Sequence, residues 1–309
     1  MIRMTEERRT RTVQRAMGIA LLTLFGWTGA AWGAAETFNT ALPVAEGDFV
    51  YRQQFLFFKS SDDPTPANRN AQAVGGVSVL GYGVTPDLTL FAILPYLDKR
   101  IDLTSGGERI GRSTRGIGDF SLIARYTAYQ DNFPGGNFRI APFVGLQMPT
   151  GESTASDRFG RIPPPIQLGT GSWDPSAGVV ATYQTLDYEV DGQASYQANT
   201  TANGFSAGNV ARLDGSFQYR LWPRELKGGV PGFIYGVLEA NLIHQDKDRI
   251  SGATDPNSGG TSLFIDPGVQ YVTKNWVLEA IVQLPITQNL NGTALRNDYT
   301  VLTGFRLNF

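Results

Sequence analysis

A serine between two glycines is the first residue of this sequence whose surroundings could support catalysis. Ser206 is the centre of a G-x-S-x-G pattern at 204–208, and Asp214 and His244 follow in a plausible order for a catalytic triad. The pattern requires a strand before the serine and a helix after it, which together expose the hydroxyl above an oxyanion hole. Residues 199–209 are instead rich in Asn, Thr, Gly and Ser, which is typical of a surface loop. A hydrolase is therefore kept only as an alternative hypothesis.

The counts of histidine and cysteine restrict the remaining chemistry. His244 is the single histidine of the sequence, and cysteine is absent. These counts exclude a disulfide framework, thiol catalysis and a histidine-rich metal site. His244 continues a series of apolar residues at every second position, which predicts an interfacial imidazole. Its catalytic alternative is the lipid-facing histidine of an outer-membrane phospholipase, but the motif of those enzymes does not follow it. We expect no catalytic residue, no metal and no cofactor.

Two glycine pairs could suggest phosphate-binding loops. They lie at 116–118 and 169–171, and each precedes a predicted strand rather than a helix. The dinucleotide and P-loop interpretations fail for that reason. The glycines are better explained as positions that relieve crowding in a curved sheet. The net charge is −2 and only 17% of the residues are charged, so no nucleic-acid partner is predicted.

Strands are the elements that must position these residues. From residue 49 onward, apolar and polar residues alternate in about twelve segments separated by turn residues. We predict strands at 49–59, 72–84, 88–101, 116–129, 138–148, 173–184, 188–199, 210–222, 233–245, 261–272, 276–286 and 299–309. Tight turns such as 85–87 and 273–275 alternate with long polar segments such as 149–172 and 246–260. This pattern predicts an all-β fold, a transmembrane antiparallel up-and-down β-barrel with short periplasmic turns and long extracellular loops.

Both ends of the sequence are typical of an exported barrel. A stretch containing five arginines precedes a short apolar run at 16–27 and a small-residue cleavage site, which predicts a signal peptide at 1–33. That run is shorter than the ~18 residues that a spanning helix needs. The other end alternates apolar residues through Phe305 and Phe309, and it resembles the terminal strand by which outer-membrane barrels are recognised for insertion. We expect 34–48 to be a periplasmic segment that could dip into the lumen, and 49–309 to form the barrel. The expected partners are outer-membrane lipid and the barrel assembly machinery.

Charged residues fall on one face of several predicted strands. On 210–222, for example, Arg212 and Asp214 share the face opposite to Leu213 and Phe217. Lipid does not tolerate such charges, so they should face the lumen, whereas the strand around 88–97 is apolar on both faces and cannot be assigned. The predicted lumen-lining residues are Arg125, Arg139, Glu189, Asp191, Arg212, Asp214, Arg220, Glu239, Asp266, Glu279 and Arg306, with Asp119 also inward. Mutual pairing is the first interpretation and ion selectivity the second. Counting along the last two strands predicts that Glu279 and Arg306 face each other.

Four short motifs resemble the outer-membrane transporter-like family associated with the meta-cleavage pathway of phenol degradation. They are Pro95-Tyr96, Gly116-Ile117-Gly118-Asp119 with Arg125-Tyr126, Pro149-Thr150-Gly151, and Leu168-Gly169-Thr170-Gly171-Ser172-Trp173-Asp174-Pro175. The resemblance covers most of the mature chain and implies a barrel that admits hydrophobic or aromatic compounds. Separately, about twelve strands enclose a modest lumen, between the filled interior of about eight strands and the open pore of about sixteen.

We therefore expect an outer-membrane channel for small solutes that move by passive diffusion, and not an enzyme. A phospholipase-like hydrolase using Ser206 and His244 remains the alternative from another class. A purely structural barrel is the third possibility.

Overall fold

The computed structural model describes residues 35–225 and 232–309, so the predicted signal peptide lies outside the described residues. Regular structure is almost entirely β. The strands are β1 Phe49–Ser60, β2 Asn70–Gly83, β3 Leu88–Ser105, β4 Glu108–Ile117, β5 Phe120–Tyr126, β6 Tyr129–Phe133, β7 Gly136–Met148, β8 Ser156–Asp157, β9 Gly160–Arg161, β10 Asp174–Thr185, β11 Tyr188–Gln197, β12 Phe205–Ser206, β13 Val210–Trp222, β14 Phe233–Gln245, β15 Arg249–Ile250, β16 Ala253–Thr254, β17 Gly260–Val272, β18 Trp276–Leu290 and β19 Tyr299–Asn308. A single 3₁₀ turn is formed by Pro164–Ile166. No helix among these residues is long and apolar enough to cross a membrane.

The large sheet closes on itself. Its strands follow one another in chain order with antiparallel pairing, β19 pairs with β1, and β7 pairs with β10 across the long 149–172 connection. β4, β5 and β6 lie end to end between β3 and β7 and together act as one strand of the wall. The fourteen-stranded sheet is therefore a closed antiparallel barrel of twelve strands. The amides of Phe49 and Phe309 each donate to the other's carbonyl, which brings the two ends of the barrel together. Closure leaves no unpaired sheet edge, as a lipid environment requires. The predicted fold class is therefore confirmed.

The strand predictions differ most from the structure between β3 and β7. The sequence predicts a loop at 102–115, but β3 continues to Ser105 and β4 begins at Glu108, so this region is a long hairpin. Its inward face carries polar residues such as Arg112 and Thr114. Because both faces are largely polar there, no alternation of hydrophobicity shows that the segment is a strand.

The outward face of the barrel carries the apolar band. Leu213 and Phe217 are 59% and 48% exposed on the outside of β13, whereas Asp214 and Gln218 on the other face are buried. Aromatic rings form pairs beside the short turns, such as Tyr183 with Tyr188 and Tyr271 with Trp276. Amphipathic rings prefer this interfacial level of a bilayer. The inward and outward faces predicted for this strand and its neighbours are those of the structure.

β3, whose faces the sequence left open, has an apolar inward face. Phe91, Ile93 and Leu97 are buried inside the barrel, while Leu90 and Leu94 are exposed on the outside. Together with inward residues of the flanking strands they form one hydrophobic cluster inside the barrel, which includes Leu56, Phe58, Val77, Val79, Ile101, Leu103 and Ile123. The interior therefore has an apolar wall on β1, β2, β3 and β5. The opposite wall, from β11 to β18, is mostly polar.

Candidate functional site

The N-terminal segment lies inside the barrel. Residues 35–44 are buried or half-buried, and Phe38 is only 1% exposed. The carboxylate of Glu239 accepts hydrogen bonds from the main-chain amides of Glu36 and Thr37. Residues 45–48 then lead to β1 at the short-turn end of the barrel. We expected a periplasmic segment able to enter the lumen, and the structure places its first ten described residues there.

Arginine side chains hold this segment through its main chain. Arg125 donates hydrogen bonds to the carbonyl oxygens of Thr40 and Leu42, and its guanidinium lies 4.8 Å from the centre of the Phe91 ring. Arg52 donates to the carbonyl oxygen of Glu36 at 3.1 Å. Because carbonyl oxygens rather than side chains are bound, the sequence of the segment gives little sign of the contact.

The long 149–172 connection folds into the lumen from the opposite end. Ile162 and Ile166 are buried in the apolar cluster of the barrel interior. Lys99 on β3 donates to the carbonyl oxygen of Gln167 at 2.7 Å. Arg112 on β4 forms a salt bridge with Asp157 at 2.8 Å. The sequence predicts an extracellular loop here, and the structure shows that much of it is an inward-folded plug.

The motifs that carry the family resemblance meet at the carboxylate of Asp119. It accepts hydrogen bonds from the amide of Gly151 at 2.9 Å, from the amide and hydroxyl of Thr170 at 2.7 Å and 3.0 Å, and from the side chain of Gln147 at 3.1 Å. Thr170 also bonds Asp174 at 3.1 Å. Three motifs far apart in sequence therefore form one latch at the base of the plug.

Glycines allow the backbones to approach at this latch. A Cβ atom on Gly151 would lie 2.9 Å from main-chain atoms of Gly118 and Gly169. A Cβ atom on Gly169 would lie 2.5 Å from a carboxylate oxygen of Asp119. Both distances are too short for a side chain. Gly151 and Gly169 are thus needed for the close packing of the loops, and Gly118 is one of the residues that Gly151 approaches.

Most of the predicted lumen charges are buried on the polar wall. Glu189, Asp191, Asp214, Arg220, Glu239, Asp266 and Glu279 are each at most 6% exposed, as is Arg125 on β5. Arg212 pairs with Asp214 at 3.0 Å, and Arg220 pairs with Asp187 of the adjacent turn. Arg139 is half-buried near the short-turn rim, where it contacts Gln130 and Asn137. Their role in selectivity stays a prediction.

The predicted opposition of Glu279 and Arg306 is wrong by two residues of register. Arg306 lies opposite Val277, and Glu279 lies opposite Gly304. The carboxylate of Glu279 forms its salt bridge with Arg52 on β1, at 2.6 Å and almost fully buried. The prediction assumed that Trp276, the first residue of β18, lies opposite Phe309. In the structure it lies opposite Leu307, which shifts the pairing by two residues.

A cavity remains between the plug and the barrel wall. One side is lined by apolar residues of β1 to β3, including Leu56, Val77, Ile93 and Leu97. The other side is lined by residues around the loop-side ends of β11, β13 and β14, including Gln197, Val210 and Gln245. Of the charged lumen residues predicted from the sequence, only Asp119 lines this site, because the plug residues and the ends of β11, β13 and β14 come together only in the folded barrel. The run of apolar residues on both faces of β3 was the available signal for an apolar inner wall.

Ser206 and His244 do not form a catalytic pair in the structure. The hydroxyl of Ser206 contacts the carbonyl oxygens of Asn199 and Ala207, at 3.4 Å and 3.2 Å. The imidazole of His244 is half exposed on the outer face, 2.8 Å from the hydroxyl of Thr261 and 3.7 Å from the carboxylate of Asp246. The serine follows no long strand and opens no helix, so the nucleophile geometry is also missing.

A closed antiparallel wall, an outward apolar band and an interior filled by chain segments define a transmembrane β-barrel of the bacterial outer-membrane type. The chain belongs to the family described as putative MetA-pathway of phenol degradation, whose profile matches residues 58–295. A comparison with curated proteins gave no match.

Among solved structures, an outer membrane channel from Pseudomonas putida F1 superposes with a TM-score of 0.65 at 14% identity, over 87% of this chain and 98% of that one. The β domain of the Bordetella autotransporter BrkA gives 0.46 at 14% identity, over 85% and 100% of the two chains. The outer membrane protein OpdK from Pseudomonas aeruginosa gives 0.36 at 7% identity, over 85% and 98%. At these identities the likeness concerns the fold alone. Of the three TM-scores, only the first is high enough to support a shared fold.

Proposed function

We propose that the chain is an outer-membrane channel that passes small, hydrophobic or aromatic molecules by passive diffusion. The apolar inner wall is the observation that carries this proposal. The lumen of a water-filled porin is polar, whereas here Phe91, Ile93, Leu97 and their neighbours line one side of the passage. An apolar solute can follow such a wall without losing favourable contacts. The family description and the channel from Pseudomonas putida F1 support the same function.

The N-terminal segment and the 149–172 plug both occupy the lumen, so the described state is a closed one. Neither belongs to the barrel wall, so either can move while every strand pairing of the wall remains intact. The N-terminal segment is held by a few side chains, chiefly Arg52, Arg125 and Glu239. The 149–172 plug is held by the Asp119 latch and by Lys99. We infer that passage requires at least partial release of both.

The same observations favour a channel over an enzyme. The hydroxyl of Ser206 contacts main-chain carbonyl oxygens, and the imidazole of His244 contacts Thr261 and lies beside Asp246, so the two side chains do not form the nucleophile–base pair that a serine hydrolase needs. We propose that neither is catalytic, and that a passive conduit needs neither. Uptake of a small aromatic solute should therefore survive Ser206→Ala and His244→Ala.

Conductance of the purified barrel in planar lipid bilayers tests the proposal. Arg125→Met removes the two hydrogen bonds to Thr40 and Leu42, and charge-assisted bonds contribute ~1.5–3 kcal/mol each. The segment should then leave the lumen at least tenfold more often, which raises conductance or open probability. Arg220→Met is the matched control, because Arg220 pairs with Asp187 and has no bond to the segment among the contacts above.

If neither the native barrel nor Arg125→Met conducts or passes solute, the channel proposal fails. Release of fatty acid from phospholipid that depends on Ser206 would instead establish the hydrolase.

A further inference from the structure

We propose that the cavity between the 149–172 plug and the barrel wall is a binding site for an uncharged, mainly apolar solute that donates a hydrogen bond, for example through a hydroxyl group. The amide oxygens of Gln197 and Gln245 accept that hydrogen bond. The inference rests on the proposed channel function, since it names the class of solute that the conduit holds.

The orientation of both glutamine amides is set by the acceptors that their nitrogens bind. The nitrogen of Gln197 donates to the side-chain oxygen of Asn199 at 2.8 Å, and the nitrogen of Gln245 donates to the carboxylate of Asp248 at 3.3 Å. The oxygen of each amide must then point elsewhere. Both oxygens are buried without a hydrogen-bond partner, in side chains 6% and 1% exposed. A buried acceptor without a donor is costly, so the site is built to receive one.

The two glutamines lie side by side on one wall of the cavity. Gln197 pairs with Val210, and Val210 pairs with Gln245, so the three residues form one row across β11, β13 and β14. With strands ~4.8 Å apart, the two glutamine backbones are roughly 10 Å from each other. Leu56, Val77, Ile93 and Leu97 line the same cavity from the apolar wall, and all four are buried. A small molecule can therefore place an apolar body on one side and a donor on the other.

The charged groups of the cavity do not favour an anion. Lys99 donates to the carbonyl oxygen of Gln167 at 2.7 Å, and Arg161 donates to the carbonyl oxygens of Asn203 and Ser153 at 3.0 Å and 2.9 Å. The carboxylate of Asp119 also lines the cavity and would repel an anion. The two unpartnered amide oxygens therefore favour a solute that donates a hydrogen bond over one that can only accept.

Fluorine NMR of three probes with the full barrel in detergent tests this class. 4-Fluorophenol donates a hydrogen bond at a pH where it stays protonated, 4-fluoroanisole has the same ring without a donor, and 4-fluorobenzoate is an anion. We expect 4-fluorophenol to bind more tightly than the other two. Gln197→Met and Gln245→Met keep the shape of the side chain, and the variant that removes the acceptor of the hydroxyl should weaken its binding several-fold, up to about tenfold, while the weaker binding of 4-fluoroanisole stays unchanged in both.

Gln218→Met is the control variant. Gln218 is a buried lumen glutamine that also has an amide oxygen without a partner, but it does not line the cavity. It should leave the affinity for 4-fluorophenol unchanged, which separates the loss of an acceptor in the cavity from a general effect of removing a buried lumen amide.

Equal binding of the three probes, or binding of 4-fluorophenol that is unaffected by both variants, would overturn the inference. In that case the amide oxygens hold only water. Conductance without glutamine-dependent binding would reject the solute class and leave the channel standing. Glutamine-dependent binding without any conductance would support the site and contradict the channel.

Discussion

At the scale of single residues, the stability of the barrel depends on ion pairs buried in the lumen, both between distant strands and within one strand. Arg52 and Glu279 are 227 positions apart and form a salt bridge whose side chains are 1% and 2% exposed. Arg212 and Asp214 are neighbours on one strand face. Burial makes a stranded charge expensive, so the first pair should matter far more to stability than any pair on the surface.

Arg52→Met should destabilise the barrel by about 3–5 kcal/mol, because the carboxylate of Glu279 stays buried without its partner. Arg100→Met removes the exposed pair with Asp102, whose side chains are 61% and 25% exposed, and should cost only about 0–1 kcal/mol. The free energy of unfolding in urea, measured in lipid vesicles, compares the two variants. Equal losses would mean that the Arg52 pair is not buried in the folded barrel.

Asp248 should make the extracellular loops sensitive to pH. It lies outside the spanning strands, and burial raises the pKa of its carboxyl to about 7, with the charge of Asp255 acting in the same direction. A raised folded-state pKa means that the stabilising contribution is complete below about pH 4 and is lost as pH rises through about 7. Hydrogen exchange of the Asp255 amide, which donates to the main-chain carbonyl oxygen of Asp248 in the same loop, should show less protection at high pH after correction for intrinsic rates.

Asp248→Asn is the control for that titration, because its side chain is neutral at every pH. The variant should show the same protection of the Asp255 amide across the range. If the native protein also shows no change between about pH 5 and about pH 8, Asp248 does not titrate in this window.

At the scale of elements, the plug formed by residues 149–172 is held at a few points. Asp119 binds both ends of the segment, since Gly151 and Thr170 donate to the same carboxylate. Ile162 and Ile166 are anchored further along, in the apolar interior. A latch at the base and an apolar anchor at the tip explain how a long connection can keep one position in the lumen.

Asp119→Ala should release the plug toward the extracellular side, because four hydrogen-bond donors of three residues lose their shared acceptor. Protease added to intact cells should then cut within 149–172, whereas the native plug resists. Asp157→Ala is a milder comparison, since it removes the salt bridge with Arg112 and a hydrogen bond from the Phe159 amide but leaves the Asp119 latch intact. Cleavage of the native protein at the same rate as Asp119→Ala would show that the latch does not hold the plug.

At the scale of the whole molecule, stability and assembly both depend on closing the wall. The ends of the barrel meet where Phe49 and Phe309 exchange main-chain hydrogen bonds and stack their rings at 6.0 Å. Phe305 lies on β19 beside Tyr51 of β1, with ring centres 6.1 Å apart. The closing pair of strands is therefore joined by aromatic contacts as well as by the ladder.

Phe305→Ser together with Phe309→Ser should leave export unchanged and reduce the amount of folded barrel in the outer membrane. The apolar face of the closing strand is lost, and with it the predicted insertion signal. The measurement is the fraction of protein that migrates faster on gels before heating, since a closed barrel resists detergent. Phe133→Ser, in the short-turn hairpin between β6 and β7, is the aromatic control. A normal yield from the double variant would reject the role of the two phenylalanines.

The sequence alone determined the class of fold, the strand ends to within a few residues in most of the chain, and the two faces of the charged strands. Alternation with period two is a local property, and lipid enforces it on every strand that separates charge from apolar side chains. Where that contrast disappears, at 102–115 and on β3, the sequence could not locate the strand or assign its faces.

Only the tertiary structure decided what fills the barrel. The segment at 35–44 is bound mostly through its main chain, which gives the same hydrogen bonds whatever the side chains are, and the Thr37 hydroxyl adds side-chain bonds with Glu239 and Asn241. The Asp119 latch joins residues that are 28 to 51 positions apart. The cavity depends on the level at which Gln197, Val210 and Gln245 come together across three strands. Register and loop docking are set by many weak contacts between distant residues, and no local pattern in the chain records them.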